Sequence, residues 1–534
     1  MSRMKIVSLG LLAAATYGCV GGGANSSEVA DGFDDNTPGG SVNVSQGGAQ
    51  DIAQFRAIVE AGNVPTPDTL DPVGFFAEHA IDLPDADCGK DVCVHPVLAV
   101  APRFNGANWT MAFVAMNTAV DPSELDRPPV HIAITIENSA FTGIPETSLD
   151  IGLEALFSHL RPEDRVSVIT FDDKAQRHVH LAQPGSQELE DLIYDVTLTQ
   201  DAFSADVGLY EGIAAAANAF DEGDMAGFEG AHRVLLITSG AASAGITDPD
   251  HILGLGEALV EEGTAFGVIG VGEEFDNKIP SALGSMGAGT YAYAFSPGDL
   301  ADLLTEEGKT TLFPLATEFD LNVIPSKGYR VGRIYGTKRA TATSAGATLS
   351  MPALFIGQRD GATDVGGSRR GGGGGLFVEL LPDPSTIAGV GADAPAFQVT
   401  ADWNSASGGL PQSVESTLLN SLPPGENPDG MWWTISDGGG GKPFMMLNMY
   451  LALKAVLDFY QAGDCARALG VVEMMQPPLS AWLGDYPDSD ITDDNNLMLK
   501  LRNNVNDACM DSQSSVEPVD PQPPQDFDGG CSSY

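Results

Sequence analysis

The segment VHIAITIENSAFTG, residues 130–143, decides how the centre of this chain is interpreted. It begins with an apolar run from His131 to Ile136, which is typical of a buried strand. The run stops at an acidic residue, Glu137, and a hydroxyl residue, Ser139, follows two positions later. A carboxylate and a hydroxyl at the end of a buried strand indicate ligands for a hard cation, because such cations prefer oxygen. The first question is therefore whether this segment still holds a metal.

Strands and helices alternate through residues 128–312. The predicted strands are HIAITI, RVSVITF, RVLLITS and AFGVIGVG, and the predicted helices are SLDIGLEALFSHL, VGLYEGIAAAANAF and DPDHILGLGEALVEEG. The strands are apolar without strict alternation, which is typical of a parallel sheet covered on both faces. We predict an α/β fold with a doubly wound, mostly parallel sheet, and expect ligands beyond the carboxyl ends of its strands.

Different patterns flank this central domain. Residues 51–127 begin with helical spacing of apolar residues and continue as predicted strands. Residues 313–441 show short strands between turn signals, which predicts a flanking β-sandwich-like domain. Residues 442–511 contain three apolar helical segments, which predict a C-terminal helical cap. Residues 512–534 are acidic and rich in Pro and Ser, and are predicted to be a disordered tail.

The composition excludes some classes of partner. The 73 acidic residues outnumber the 26 basic ones and give a formal net charge of -47. A surface this negative repels nucleic acid and anionic headgroups, so we expect no nucleic-acid partner. Hydrophobic residues make up 43% of the chain, which is enough to bury sizeable cores.

The N-terminal residues predict export. Residues 1–19 carry two basic residues, then an apolar run from Ile6 to Ala15, which is too short to span a membrane. Gly18 and Cys19 resemble the bacterial lipobox, in which the cysteine is acylated; a plain secretion signal is the alternative. Residues 20–50 are rich in Gly, Ser, Asn and Asp and predict a flexible tether. We therefore expect a lipoprotein of the bacterial cell envelope, on the periplasmic or the cell-surface side.

Export also favours disulfide bonds. The chain has six cysteines: Cys19, Cys88, Cys93, Cys465, Cys509 and Cys531. Cys88 and Cys93 could close a small loop, and Cys465 could pair with Cys509 or Cys531. If Cys19 carries lipid, one cysteine is left over. No CxxC or Cys/His cluster indicates zinc.

Residues 129–312 resemble a von Willebrand factor type A (VWA) domain. The matching segments are HIAITI with ENSAF, LRPEDRVSVITFDDKA, RVLLITSGAASAGITDPD, GTAFGVIGVGEEFDNKIP and MGAGTYAYAFSPGDLADLL. The flanks FRAIVEAGNVPTPDTLDPVGFFAEHA and LATEFDLNVIPSKGYRVGRIYG resemble bacterial VWA lipoproteins. The resemblance covers most of residues 51–340 and is weaker over the rest.

The resemblance implies a metal-ion-dependent adhesion site, in which a partner carboxylate completes the shell of a magnesium ion. The motif is Asp-x-Ser-x-Ser, with a Thr and a second Asp from two further loops. The corresponding residues here are Glu137, Ser139, Phe141, Phe203 or (with a one-residue shift) Ser204, and Ser239. Phenylalanine offers no oxygen and the second Asp has become a hydroxyl, so we predict a degenerate site that binds no metal in the usual way.

The alternative is an improvised calcium or magnesium site. It would use Glu137, Ser139 and Ser204, with help from Asp201 or Asp206. Otherwise we expect no cofactor.

Two other clusters could ligate metal but have plainer interpretations. His178 and His180 would share one face of a strand, and we interpret them as a surface pair. The segment PDSDITDDNN lacks the glycine and distal Glu of an EF-hand loop. We interpret its acidic residues as capping the start of a helix around Thr492. Those residues are Asp488, Asp490, Asp493 and Asp494.

Two apolar or glycine-rich segments are also interpreted structurally. Four large apolar residues on the first C-terminal helix are predicted to be core, with a partner groove as the alternative. They are Met445, Met446, Met449 and Leu453. The stretch GGSRRGGGGGLF lacks the setting of a phosphate-binding loop, so we interpret it as an ordinary loop.

The sequence favours a non-enzymatic function. It contains no G-x-S-x-G, H-E-x-x-H or Walker motif. We expect a protein or cell-envelope ligand to bind the loops above the sheet, through hydrogen bonds and an exposed Phe141 or Phe203. The alternatives are a metal-dependent adhesin, a structural envelope protein and, least favoured, an unrecognised hydrolase.

Overall fold

The chain folds into two sheets and a set of C-terminal helices. The computed structural model describes residues 42–49, 51–106, 108–122, 125–141, 147–194, 206–221, 228, 230–272, 275–343, 345–357, 372–405, 409–426, 432–433 and 441–511. The strands are β1 (Val42–Gln46), β2 (Gly48–Ala49), β3 (Cys93–Pro102), β4 (Asn108–Thr118), β5 (Val130–Glu137), β6 (Arg165–Phe171), β7 (Ala175–Ala182), β8 (Ala231–Thr238), β9 (Thr264–Val271), β10 (Thr290–Ala294), β11 (Ala316–Pro325), β12 (Tyr329–Tyr335), β13 (Ala340–Thr343), β14 (Gly346–Ile356), β15 (Leu376–Pro382), β16 (Pro395–Ser405), β17 (Pro411–Leu419) and β18 (Trp432–Trp433).

The helices surround the first sheet and form the C-terminal part. They are α1 (Ala53–Glu60), α2 (Pro72–Ala77), α3 (Thr147–Ser158), α4 (Gln187–Tyr194), α5 (Leu209–Asp221), α6 (Pro249–Glu261), α7 (Lys278–Gly284), α8 (Pro297–Glu306), α9 (Lys442–Gln461), α10 (Cys465–Asp485) and α11 (Ser489–Asp511). None of the helices in the described ranges has both the length and the apolar composition to cross a bilayer.

The central sheet has seven strands in the order β2-β10-β9-β8-β5-β6-β7. All neighbours are parallel except β6 and β7. Every residue of β5 is buried, because apolar helices cover both faces of the sheet. Helices α3 and α8 contribute to the core on one face, and α5, α6 and α7 to the core on the other. The predicted doubly wound, mostly parallel sheet is confirmed.

The second sheet is antiparallel and forms the predicted sandwich. Its main path is β12-β15-β4-β1-β14-β11-β16-β17. Three strands lie off this path: β3 pairs with β4, β13 pairs with β14, and β18 pairs with β3. One hydrophobic core contains residues from both halves of this path, such as Val114 and Val378 from one half and Leu321 and Val399 from the other. Strands β3 and β4 lie in the sequence before the central domain, yet pair with strands that follow it.

Strand β1 differs from the sequence prediction. It lies inside residues 20–50, which the composition predicts to be a flexible tether, but it is antiparallel to both β4 and β14. The buried side chain of Val44 belongs to the sandwich core, and its register partner is Ile356. The predicted tether is therefore wrong for residues 42–46, because strand pairing at this point outweighs the Gly and Ser content around it.

The C-terminal helices cover the outer face of β3, β4 and β15. Residues of these strands, of α1 and α2, and of α9 to α11 form one hydrophobic core. The side chains of Met445, Met446, Met449 and Leu453 are no more than 3% exposed. Their interpretation as core is confirmed, and no groove is left at them for a partner helix.

Two disulfide bonds connect neighbouring elements. Cys88 pairs with Cys93, and Cys465 pairs with Cys509, joining the start of α10 to the last part of α11. The second pairing resolves the alternatives that the sequence left open for Cys465. Cys19 and Cys531 lie outside the described residues, so the predicted lipid anchor and the left-over thiol stay predictions.

Candidate functional site

The loops at the carboxyl ends of the parallel strands meet at one edge of the central sheet, which we call the crown. It comprises residues 138–141 after β5, 172–174 after β6, 239–248 after β8 and 206–208 before α5. These loops are tied together by main-chain bonds. Asn138 N donates to Phe171 O at 3.0 Å, and Gly208 N donates to Asp172 O at 2.7 Å. Because β5 is central, the residue at its end lies in the middle of the crown.

That residue is Glu137, whose carboxylate accepts four hydrogen bonds. Ser139 Oγ and Ser239 Oγ each donate to Oε1 at 2.6 Å. Thr238 Oγ1 donates to Oε2 at 2.6 Å, and Ser239 N donates to the same oxygen at 2.8 Å. The Glu137 side chain is fully buried. The carboxylate therefore joins the end of β5 to the end of the neighbouring strand β8.

These bonds leave little capacity for a metal. An ionised carboxylate has about four lone-pair sites, and four donors occupy them here. Magnesium requires near-octahedral oxygen ligands at about 2.0–2.1 Å and gives up its waters reluctantly. To ligate it, Glu137 would have to release donors that protein groups already satisfy. The residues described here do not fit a magnesium ion at this position.

The side chain of glutamate is one methylene longer than that of aspartate, which explains how Glu137 reaches the end of β8. Serine replaces the expected second aspartate at position 239, so the longer Glu137 side chain meets a hydroxyl and a main-chain amide at the end of β8. Gly240, with φ of 78°, continues the turn, and its N–H donates to Thr238 Oγ1 at 3.0 Å. A side chain at Gly240 would start 1.9 Å from Asp276 O, so only glycine fits.

The sequence predicts an exposed Phe141, and this prediction is wrong. Its side chain is 6% exposed and belongs to the same core as Ile134 and Leu153. The short 3-10 turn Ser139–Phe141 directs it into this core, where burial of an aromatic ring is favourable. Phe141 therefore cannot serve as an exposed contact for a partner.

Other predicted site residues fall in different places. Ser139 and Ser239 lie beside Glu137 as predicted. Phe203, Ser204 and Asp201 lie outside the described residues. Asp206 is exposed at the start of the loop before α5. Within the described ranges, no group of three or more His, Cys, Asp or Glu side chains could hold a metal ion.

The sequence reasoning missed Asp172, which directly follows β6. Its side chain is 7% exposed, and Asn138 Nδ2 donates to Oδ2 at 3.1 Å. Burial raises the pKa of Asp172; hydrogen bonds from the Asn138 side chain and the Ser139 main chain oppose this shift, and the negative charges of Glu137 and Asp173 reinforce it. The signal was available, since an acidic pair at the end of a predicted parallel strand lies at the crown by topology.

The histidines lie on the sheet. His178 is half-buried, with Nε2 2.7 Å from Thr170 Oγ1, and Nδ1 of the half-buried His180 is 3.2 Å from Ser167 Oγ. The sequence did not single out His131, which is fully buried with Nε2 2.8 Å from Ser167 Oγ. Burial, with smaller contributions from nearby cationic groups, lowers the pKa of His131 to about 3, so this ring is neutral in the fold.

Three residues of the acidic cluster before and within α11 contact protein cations. Asp488 Oδ1 accepts from Ile491 N at 3.0 Å, as expected for a residue that caps a helix. Lys442 Nζ contacts both Asp488 and Asp490, at 2.9 and 2.7 Å. Asp494 accepts from Arg56 Nη2 at 2.7 Å. Helix capping and ion pairing, rather than calcium binding, account for these contacts.

Comparison with known proteins gives similarity of fold alone. No protein-family model matches the chain, and no curated protein matches it. A solved von Willebrand factor type A protein from Catenulispora acidiphila is 15% identical, with a TM-score of 0.46, over 72% of this chain and 87% of that one. The ArnB paralog VWA2 from Sulfolobus acidocaldarius is 14% identical, with a TM-score of 0.42, over 80% of this chain and 100% of that one. BatB from Bacteroides thetaiotaomicron is 15% identical, with a TM-score of 0.27, over 34% of this chain and 96% of that one.

Proposed function

We propose that this chain is a non-enzymatic, exported interaction protein whose crown binds a protein or cell-envelope ligand without a bridging divalent cation. The observation that supports the proposal most directly is the saturation of the Glu137 carboxylate by four protein donors. In the metal-dependent site that the sequence resembles, the corresponding carboxylate and hydroxyls would face a cation. Here they bond to one another.

The energetics favour the protein donors over an ion. Charge-assisted hydrogen bonds contribute about 1.5–3 kcal/mol each, and breaking a buried one leaves a polar group unsatisfied. A cation at this position would gain one carboxylate and two hydroxyls, and would lose several waters. With serine in place of the second aspartate, replacing the protein donors of Glu137 by a cation is unfavourable.

Exposed residues of the crown supply the contact surface. Because Phe141 is buried, the apolar contact falls to the loop after β8, where Ile246 is 38% exposed. The same loop exposes Ser243 and Asp248. Ser243 Oγ accepts from Val207 N at 2.8 Å, which fixes this loop against the one that precedes α5. A partner would therefore meet a defined loop surface.

Export and anchoring complete the proposal. The predicted signal, the lipobox-like Cys19 and the segment that follows it support attachment to the bacterial envelope. The absence of a catalytic motif from the sequence supports a binding role. Replacing Cys19 by serine should move the protein from the membrane fraction to the soluble fraction; an unchanged distribution would remove the anchor from the proposal.

Calorimetric titration with magnesium tests the proposal at the crown. The chelator-stripped chain should give no magnesium-binding heat that depends on Glu137. The variants are Glu137→Ala, Ser239→Ala as a milder change at the same bonds, and Glu154→Ala as a control on the exposed side of α3. Micromolar magnesium binding that Glu137→Ala abolishes and Glu154→Ala keeps would establish the metal-dependent adhesin instead.

A second experiment addresses the ligand. The purified chain, immobilised and exposed to envelope extract with and without EDTA, should retain the same partners. Partners that are lost with EDTA and regained with magnesium would support a bridging cation. Partners that survive changes in the loop after β8 would place the contact away from the crown.

A further inference from the structure

Strand β17 lies at one end of the main path of the second sheet. Within the described ranges it pairs with β16 alone, and their antiparallel register runs without interruption from the pair Phe397–Leu418 to the pair Asn404–Pro411. We call the edge that faces away from β16 the β17 edge. It presents a row of main-chain N–H and C=O groups that no strand of the described part of the chain pairs.

The other end strands of both sheets carry bulges, basic side chains or few residues, which are features that prevent edge-to-edge pairing. Strand β12, at the opposite end of the same path, has a register shift between Val331 and Ile334 and an exposed Arg330. Strand β7 of the central sheet has two register shifts and an exposed Arg177. Strands β2, β13 and β18 have only two to four residues each. By contrast, β17 has nine residues, an unbroken register and one charged side chain, Glu415.

The side chains of β17 alternate between the two faces of its sheet. Those of Ser413, Glu415 and Thr417 are exposed. On the other face, Leu418 belongs to the sandwich core and the half-buried Val414 packs against that core. A strand added beside β17 would therefore place one set of its side chains against Val414 and the other set beside Glu415.

The exposed face at the β17 edge is negative. Glu415 faces Thr400 on β16, and Asp402, two residues farther along β16, faces Asp320 on β11. All three acidic residues are exposed, and their register partners are Ser, Thr or Asp, so no cation faces them across the strands. Opposite charges on neighbouring strands stabilise a sheet and like charges destabilise it, so this face favours a basic neighbour.

A second copy of this chain is a poor neighbour for β17. Glu415 is the middle residue of the strand. Two antiparallel β17 strands paired about their centres would therefore place their Glu415 side chains directly opposite each other, which is destabilising. Each chain also carries a formal net charge of -47, which adds to the repulsion. The β17 edge fits a segment of another protein that carries basic side chains.

We propose that the β17 edge binds an extended segment of a partner protein, which joins the sheet as an added strand with a Lys or Arg beside Glu415 and an apolar side chain against Val414. In binding of this kind, main-chain hydrogen bonds supply affinity and alternate side chains supply specificity. The surface goes beyond the proposed function, because β17 belongs to the second sheet and the crown to the central sheet. Neither binding surface requires the other.

A labelled peptide with the sequence of residues 396–404, AFQVTADWN, is the probe, because this part of β16 already complements β17. It is made with Thr400→Lys (the lysine peptide) or Thr400→Glu (the glutamate peptide), since Thr400 is the register partner of Glu415. Fluorescence anisotropy with the purified full chain measures each Kd. The lysine peptide should bind with a Kd below about 1 mM. The glutamate peptide should bind about threefold to tenfold more weakly, because its charge is repelled by Glu415.

Reversing the charge on β17 tests the contact. Glu415→Lys should invert the preference, so that the glutamate peptide binds more tightly than the lysine peptide. Glu154→Lys makes the same change of charge at an exposed position on α3 and should keep the wild-type preference. Val414→Lys adds a charge on the core side of the edge and should weaken binding of both peptides at least about tenfold. Thermal unfolding checks that each variant is folded, and the exposed Glu415→Lys suffices if Val414→Lys is not.

Hydrogen exchange of the full chain, with and without the lysine peptide, locates the contact. The peptide should slow exchange of main-chain amides in residues 410–419, because they gain hydrogen-bond partners, and should leave those of β12 unchanged. Slower exchange at β12 and not at β17 would place the added strand at the wrong end of the sheet for this inference.

The outcomes separate this inference from the proposed function. If the wild type binds neither peptide, or if Glu415→Lys and Glu154→Lys have the same preference, the inference is overturned and the proposed function at the crown is intact. A concentration-dependent dimer in sedimentation that Val414→Lys abolishes would make a second copy the occupant and overturn the assignment to another protein. Failure of the proposed function is recognised separately, because changes in the loop after β8 should leave peptide binding unchanged.

Discussion

Replacing Glu137 by alanine should destabilise the central domain even when no metal is present. The substitution removes the acceptor of four donors, and two of them, Thr238 Oγ1 and Ser239 N, bond to the same oxygen, Oε2. We count only these two, since Ser139 and Ser239 are half-buried and their hydroxyls can bond to water instead. Two charge-assisted bonds correspond to about 3–6 kcal/mol. Relief from burying the carboxylate offsets part of this loss. We therefore expect a decrease of about 2–4 kcal/mol in the free energy of unfolding.

Urea denaturation followed by circular dichroism measures this loss. Circular dichroism reports directly on the helices and strands of the central domain, whereas all five tryptophans lie outside residues 128–312. Hydrogen exchange of peptides from β5 and β8 should locate the loss, since Glu137 joins these two strands. Glu154→Ala, an exposed change on α3, should stay within about 0.5 kcal/mol of the wild type.

Urea denaturation in the presence of magnesium distinguishes a crown that binds no metal from one that holds a magnesium ion. A bound ion at about 100 times its Kd would stabilise the wild type by about 2.7 kcal/mol, and we expect no such gain. A loss below about 1 kcal/mol in Glu137→Ala would refute the reasoning about the four bonds. A loss that appears only when magnesium is present would refute it equally.

Three further predictions concern the rest of the fold. The His131 ring is neutral in the fold, with a pKa of about 3, whereas its pKa is about 6.5 in the unfolded chain. Its contribution to the free energy of unfolding is therefore complete above pH 6.5 and is lost as the pH falls towards 3. His131→Gln should reduce this loss of stability in urea titrations at different pH values, and an unchanged pH profile would contradict the prediction. Removing the Cys465–Cys509 bond, which closes a 44-residue loop, should cost about 4 kcal/mol on the chain-entropy model; a loss below about 1 kcal/mol in the double serine variant would argue against it. Arg56→Ala removes the guanidinium that contacts the buried carboxylates of Glu78 and Asp494 and should cost about 3–5 kcal/mol, whereas Lys500→Ala at an exposed pair should cost less than about 1 kcal/mol; equal losses by thermal unfolding would contradict this.

Local sequence patterns predicted the central domain because its strands are apolar and helices alternate with them. HIAITI, predicted from His131 to Ile136, extends by one residue at each end in β5. RVSVITF coincides with β6. Buried parallel strands have this uniform apolar composition, so one sequence suffices to find them.

Long-range pairing was not predictable in the same way. Strand β1 pairs with β4 and with β14, whose registers involve residues up to Ile356. No local pattern specifies such partners, because each strand selects them by packing and not by its own sequence. The composition around Val42 therefore indicated a tether where the fold contains a strand.

At the crown, the sequence predicted the position of three residues correctly and the exposure of Phe141 wrongly. Sequence reasoning placed Glu137, Ser139 and Ser239 together, and the structure brings all three into contact. It treated Phe141 as an exposed contact for a partner. A single turn of 3-10 helix directs that ring into the core, and such side-chain direction is not readable from the sequence.

A crystal structure determined from crystals soaked in excess magnesium tests the central claim most directly. The account predicts that Glu137 keeps its bonds to Ser139, Thr238 and Ser239, with oxygen and nitrogen atoms at 2.6–2.8 Å. An octahedral density peak about 2.0–2.1 Å from a Glu137 oxygen, with Ser139 as a second ligand, would contradict it.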